Sequence, residues 1–312
     1  MSAPIILTLR ALKLGDLLVA VPALRGLRRS RPHHRFILAS PIGLKPVVDL
    51  IEPTIEILPT DGLHASLAIG EDIDIAVNLH GKGPQSHALL DELDSTVKIG
   101  FAADGWDGPE WVDDVHERER WVHLLRSFGM EADAMDLRLP RPDRDVTRFG
   151  AEPGVAVVHV GAAHGSRLWP VDRFARVAEY LATAGRRVVL TGSQAERPRA
   201  LTVRNLVEEA FRGRVDVVAG QTDLLDLAAI IADAGVVVSA DTGVAHLASA
   251  YGTPSVVLFG PSTPERWGPP PGPHRVLTVA HLRRGDLFAD DPDPALLAVD
   301  TCDVTRALHS LM

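Results

Sequence analysis

The chain has 312 residues, 46% hydrophobic and 23% charged, with a formal charge of −9. That is the make-up of a folded protein of two ordinary domains, and the negative balance excludes a general nucleic-acid binder, which needs a basic surface. The single cysteine, Cys302, permits no internal disulfide and fits a reducing compartment.

No secretory leader pattern and no apolar run of about 20 residues is visible. A cytoplasmic protein without a transmembrane segment is therefore expected, with a peripheral membrane contact left open. Ile5–Leu9 reads as a buried strand. Asp16–Arg28 has helical spacing through Leu17, Leu18, Val21, Leu24 and Leu27. In the loop Arg10–Gly15 between them, Gly15 suits a sharp turn and Asp16 sits at the helix start. On spacing alone, Asp16 is equally well an N-cap or a functional carboxylate. Pro22 predicts a kink. Arg25, Arg28, Arg29, Arg31, His33, His34 and Arg35 read as a solvated helix end, the alternative being a patch for an anionic acceptor or a membrane surface.

Phe36–Ala39, Ile73–Leu79 and Val97–Phe101 read as further strands and Val112–Phe128 as a helix. The glycines of Gly81-x-Gly83-x-x-Ser86 do not make a dinucleotide fingerprint, because they lie outside the first βαβ unit and the third position is serine. Leu139–Gly154, rich in proline, glycine and charge, reads as the linker between two βα blocks.

In the second block Val155–Val160 is a strand and Gly161–Trp169 a loop. Pro170 stands just before a helix over Val171–Ala184. Arg187–Thr191 and Val215–Val218 follow as strands, with a helix over Arg197–Phe211 between them. Next comes Val236–Pro261: a strand to Ser239, a turn to Gly243, a helix over Val244–Tyr251, a Gly252-Thr253-Pro254 break and a strand over Ser255–Phe259. This is a βαβ unit of a parallel sheet. The first amides of its helix, together with the helix dipole, make an anion site. Thr242 and Gly243 permit close approach of a phosphate, and His246 lies one turn on. A capped helix, with Asp241 as N-cap and His246 as a packing residue, is the competing reading. Asp-Thr-Gly followed by His and closed by Phe259-Gly260-Pro261 is more than capping requires, which favours the phosphate site. Val276–Val279 reads as a last strand and Pro294–Leu311 as a C-terminal helix.

DTGVAHLASAYGTPSVVLFGPSTPERWGP, starting at Asp241, strongly resembles the nucleotide-sugar signature of glycosyltransferase family 9, the ADP-heptose transferases. LRALKLGDLLVAVPALRGLR, starting at Leu9, resembles the N-terminal motif of the same family, and Gly161–Pro170 its middle loop. The resemblance implies an α/β fold of GT-B type, two Rossmann-like domains whose parallel sheets face each other across a cleft. The domains would span 1–150 and 151–293, with a C-terminal helix over 294–312 packing back on the first. It implies inverting transfer of a sugar, heptose in the family's main activity, from an ADP-sugar to a glycan, glycolipid or other hydroxyl acceptor.

The resemblance puts the general base at Asp16 and the phosphate-binding cation at Arg167. Glu196 falls near the ribose, Gln221 and Thr222 near the adenine, and Asp241, Thr242, Gly243 and His246 at the diphosphate. Ala162 and Ala163 replace the family's hydroxyl pair, so only their backbone amides remain to serve the donor. Arg10, Lys13, His80 and Lys82 are candidate acceptor contacts, an ordinary surface loop being the alternative for the last two. The Asp-x-Asp pairs Asp72/Asp74, Asp143/Asp145 and Asp291/Asp293 stand away from the phosphate site, so no metal is expected and no cofactor besides the donor. Two other functions stay open at this stage. An epimerase or hydrolase of the same fold would act on donor alone, and a non-catalytic nucleotide-sugar-binding protein would never turn over.

Overall fold

The computed structural model describes residues 3–312. They fall into two compact units, one ending at Leu139 and one spanning Pro140–Met312. The first contains β1 (Ile5–Leu9), α1 (Leu14–Ser30), β2 (Arg35–Ser40), α2 (Lys45–Ile51), β3 (Ile55–Pro59), β4 (Ile73–Asn78), α3 (Gln85–Asp91), β5 (Ser95–Ile99) and α4 (Glu117–Ser127). Its sheet has the order β3-β2-β1-β4-β5, with every pair parallel. Every residue of β1 is buried, as a central parallel strand covered on both faces requires. The strand order reverses between β1 and β4, and their register pairs Leu9 with Asn78. The loops after these two strands therefore leave the sheet side by side, where open α/β sheets place ligands.

Helix α1 continues through Pro22, which is buried within it, where the sequence predicts a kink. It packs on α4, and at Gly26 a Cβ would press on Ala132 and Leu125. The predicted start of α4 at Val112 moves to Glu117, because the His116 ring nitrogen accepts from the Arg118 amide at 3.1 Å and caps the helix there. Part of the basic run ending α1 is paired with acids: Arg25 and Arg29 with Asp136, His34 with Asp74, and Arg35 with Glu56 and Glu71, while Arg28 and Arg31 donate to backbone carbonyls.

The second unit contains β6 (Ala156–His159), α5 (Val171–Thr183), β7 (Val188–Thr191), α6 (Arg197–Leu206), α7 (Glu209–Arg212), β8 (Val215–Val217), α8 (Leu224–Asp233), β9 (Val236–Ala240), α9 (Gly243–Tyr251), β10 (Ser255–Leu258), α10 (Pro264–Trp267), β11 (His274–Leu277), α11 (Pro294–Leu297) and α12 (Thr301–His309). Its parallel sheet runs β11-β10-β9-β6-β7-β8, the doubly wound order. The reversal lies between β6 and β9, whose register pairs His159 with Ser239.

Further boundaries also depart from the sequence reading. Residues 140–150 belong to the second unit, because Arg141, Arg144 and Arg148 pair with Asp233, Asp223 and Asp226 of α8 and its cap. The helix expected over Arg197–Phe211 breaks at Val207, which is extended. The last strand lies at His274–Leu277, in register with Ser255–Leu258. The segment 294–312, expected on the first domain, packs in the second: Val304, Ala307 and Leu308 join its core, and the buried Trp169 indole donates to the Val299 carbonyl at 3.0 Å. That segment is also two helices, since Asp300 and Asp303 form a capping box that restarts the chain as α12. Among the described residues no helix is long and apolar enough to cross a membrane.

Candidate active site residues in each unit

In the first unit the residues after β1 and β4 converge on Arg10. Asp16 lies in the first turn of α1 and not at its cap; the cap position is Lys13, which makes no side-chain capping bond. The helix dipole favours an anion at Asp16, and its half-buried carboxylate carries no structural duty as a cap. The Arg10 side chain is 1% exposed. Its guanidinium donates to the Asp16 carbonyl oxygen from Nε at 3.0 Å and from Nη2 at 2.7 Å, and from Nη1 to the Leu79 carbonyl. It also lies 4.7 Å from the centre of the Trp121 ring. Arg10 was expected to meet an acceptor; it is instead sealed and engaged, and it ties the loop after β1 to the loop after β4.

His80 follows Leu79 in that second loop. Its amide donates to Asn78 Oδ1 at 3.0 Å, and Asn78 Nδ2 in turn donates to Ser86 Oγ at 2.9 Å. Burial and then the neighbouring Arg10 charge push the imidazole down to about 4, against the opposing pull of Asp16, so it is neutral at physiological pH. Its buried Nδ1 has no hydrogen-bond partner. Lys13 and Lys82 are exposed on the same two loops.

In the second unit the loops after β6 and β9 bring Arg167 and Asp241 together. Asp241 is buried and its amide pairs with the Leu258 carbonyl. It does not cap α9. Its carboxylate accepts from the Ser262 hydroxyl and stands 3.7 Å from Arg167 Nη1 and 3.9 Å from His246 Nε2. Burial raises the proton affinity of this carboxyl, while Arg167 and Ser262 oppose the rise. The cap of α9 is Thr242, in extended backbone, and its buried hydroxyl has no partner. Arg167 Nε is also buried without one. A guanidinium and a hydroxyl with unused donors thus stand with the opening amides of a nine-residue helix, a set whose chemistry is anion binding.

Glu196, at the start of α6, turns its carboxylate back over the end of β6. It accepts from the Ser193 amide at 2.6 Å and fills the space that a Cβ on Gly161 would occupy. His159, beneath it, contacts Thr191 Oγ1 at 3.0 Å and is held neutral by burial. Thr222 is half-buried and Gln221 exposed after β8. The Gln221 amide oxygen accepts from Arg197 at 2.9 and 3.1 Å. Ala162 is half-buried and Ala163 exposed. Among the described residues no three His, Cys, Asp or Glu side chains converge as a metal-binding group. Sequence reasoning missed Ser262 and Arg199. Ser262 lies within the signature stretch but carries no spacing signal of its own. Arg199 looks like any exposed helix arginine until the fold brings carbonyls to it.

The chain is similar to several known proteins. A sequence model of glycosyltransferase family 9 (heptosyltransferase) matches residues 112–284. Lipopolysaccharide heptosyltransferase 2 of Salmonella typhimurium is 25% identical over 96% of this chain and 95% of its own length. Among solved structures, the glycosyl transferase family 9 protein of Veillonella parvula superposes with a TM-score of 0.80 at 21% identity, covering all of this chain and 98% of its own. The ADP-heptose lps heptosyltransferase II of E. coli gives 0.77 at 20% identity, with 98% of each chain covered. These likenesses establish the α/β fold of GT-B type.

Proposed function

Because the chain belongs to glycosyltransferase family 9 (heptosyltransferase), we propose that it moves heptose from ADP-heptose to a hydroxyl of a lipopolysaccharide-type glycan, with inversion and without a metal. The near-full-length relative named lipopolysaccharide heptosyltransferase 2 supports heptose transfer in lipopolysaccharide synthesis. The observation that carries the reading is the group at the start of α9: Arg167 beside Asp241, with the unpartnered donors of Arg167 and Thr242.

In the proposed reaction the acceptor oxygen forms a bond to the anomeric carbon while the bond from that carbon to the diphosphate oxygen breaks. The acceptor proton passes to the Asp16 carboxylate, and ADP leaves with the bonding electrons. Charge grows on the departing diphosphate, where Arg167, Thr242, the α9 amides and His246 supply fixed donors. One aspartate of each Asp-x-Asp pair is engaged elsewhere: Asp74 with His34, Asp145 with Thr147, and Asp293 with the amides of Arg284, Gly285 and Ala295. This supports a reaction whose leaving-group charge is met by protein donors. The absence of a membrane-crossing helix among the described residues and the exposed free Cys302 fit a cytoplasmic location, which we include in the proposal.

Calorimetric titration with ADP, UDP, GDP, CMP and ADP-heptose, each in EDTA and in Mg²⁺, tests the donor. ADP and ADP-heptose should bind best, equally in both buffers, and Arg167→Ala should weaken both. A preference for UDP or GDP would discard the adenine-linked donor. No binding at all would overturn the phosphate site.

A further inference from the structure

The loop that carries Arg167 joins β6 to α5, and both of its ends meet one side chain. Arg199, on α6, donates from Nε to the Val160 carbonyl at 2.8 Å and from Nη2 to the Trp169 carbonyl. The Trp169 end is fixed in the core by the indole bond to Val299 and by full burial of the ring. The tip of the loop is held by a separate set of contacts, all to the backbone of the segment before α11. The Ser166 amide donates to the Ala289 carbonyl at 2.8 Å, the Ser166 hydroxyl to the Leu287 carbonyl at 2.9 Å, and the Asp293 amide to the Ser166 carbonyl at 3.0 Å. Gly165 packs so closely on the Asp290 carbonyl that no side chain fits. Arg199 is therefore the side chain that closes the base of this loop, and it stands one helical turn after Glu196 on the same helix.

We propose that Arg199 is a positioning residue for the nucleotide-sugar donor, fixing the spacing between Glu196 on the ribose side and Arg167 on the diphosphate side. This rests on the reading of Glu196 and Arg167 as donor-binding groups. A nucleoside diphosphate must meet both at once, so a loop free to open would lose the gain of binding them together. A lysine keeps the charge at this position but is a single point donor, and it cannot span two carbonyls as the planar fork does.

The test is ADP binding and steady-state kinetics of the wild type, Arg199→Lys and Arg199→Ala, with thermal melts of each. Both variants should raise the ADP Kd and the donor KM by about ten- to a hundredfold, the scale of charge-assisted hydrogen bonds, while kcat and acceptor KM stay near wild type. Arg199→Lys decides the matter if Arg199→Ala fails to fold. A donor KM within about twofold of wild type in folded Arg199→Lys would overturn the proposal, as would a fall in kcat with donor KM unchanged. A wild-type protein that does not bind ADP would instead overturn the donor reading itself, and Arg199's role with it.

Discussion

Arg10 holds Asp16 through the main chain: its guanidinium donates at 3.0 and 2.7 Å to the Asp16 carbonyl oxygen and not to the carboxylate. The same group reaches the Leu79 carbonyl, so one buried cation sets the spacing of the two loops at the switch point of the first sheet. Arg10→Met should leave those carbonyls short of a donor, at about 1–3 kcal/mol for each one left unsatisfied. Urea denaturation should show that loss, and kcat should fall with it because Asp16 is released. Arg10→Lys should recover part of the stability and less of the activity. Wild-type stability in Arg10→Met would show that the contacts carry no weight.

Asp16→Asn keeps the shape of the first turn of α1 and removes the base. Turnover should fall by about 10²–10⁴-fold while ADP affinity and thermal stability stay close to wild type. Quench-flow or coupled ADP-release kinetics beside a calorimetric ADP titration would check both halves. Full turnover would move the base elsewhere.

Gly161→Ala places a Cβ where the Glu196 carboxylate now lies. Glu196 must swing away, so ADP binding should weaken by about tenfold, a loss of the size expected for one hydrogen bond to a charged group. Inorganic pyrophosphate, which has no ribose, should bind as before. Adding Glu196→Ala to Gly161→Ala should cost little more, since both changes remove the same group. Additive losses would show that Glu196 and Gly161 act independently.

His80 titrates near its ordinary value of 6.5 in the unfolded chain and near 4 in the fold. The unfolded state therefore binds the proton first as pH falls. The stability this group contributes is complete above about pH 6.5 and is lost as pH falls from there toward 4. Burial lowers His87 and His159 in the same direction, so the whole profile should slope downward on the acid side. His80→Gln should flatten part of that slope in urea titrations run from pH 7 to pH 4.5. An unchanged slope would mean that His80 takes up its proton at the same pH in the folded and the unfolded protein.

Most strands were legible because parallel strands buried on two faces read as short apolar runs, as Ile5–Leu9 and Val236–Ala240 do, whereas the edge strand β3, with much of its length exposed or half-buried, went unread. Elements that depend on local capping were harder. His116 shortens α4, and the Asp300–Asp303 box splits the last helix, through bonds that no periodicity signals. The C-terminal segment was misplaced because amphipathic spacing shows that a helix has a buried face and not which core receives it. At the site, the turn Asp241–Gly243 was read as a phosphate site from loop chemistry at a strand end, whereas Asp16 and Arg167 were assigned through the family resemblance. Arg10 was read as a candidate acceptor contact because bonds to the Asp16 and Leu79 carbonyls leave no signal in the sequence. Arg199 went unseen because its partners are carbonyls distant in sequence, and Ser262 because its partner is the Asp241 carboxylate, 21 residues away.

The most direct test supplies ADP-heptose in EDTA, with and without a lipopolysaccharide core lacking its heptose, and follows ADP release and acceptor mass together. Release that requires the acceptor, matched by a one-heptose gain on it and abolished by Asp16→Asn, is the result expected. ADP released equally without acceptor, or no turnover of a donor that binds, would contradict the assignment of this chain as a heptose transferase.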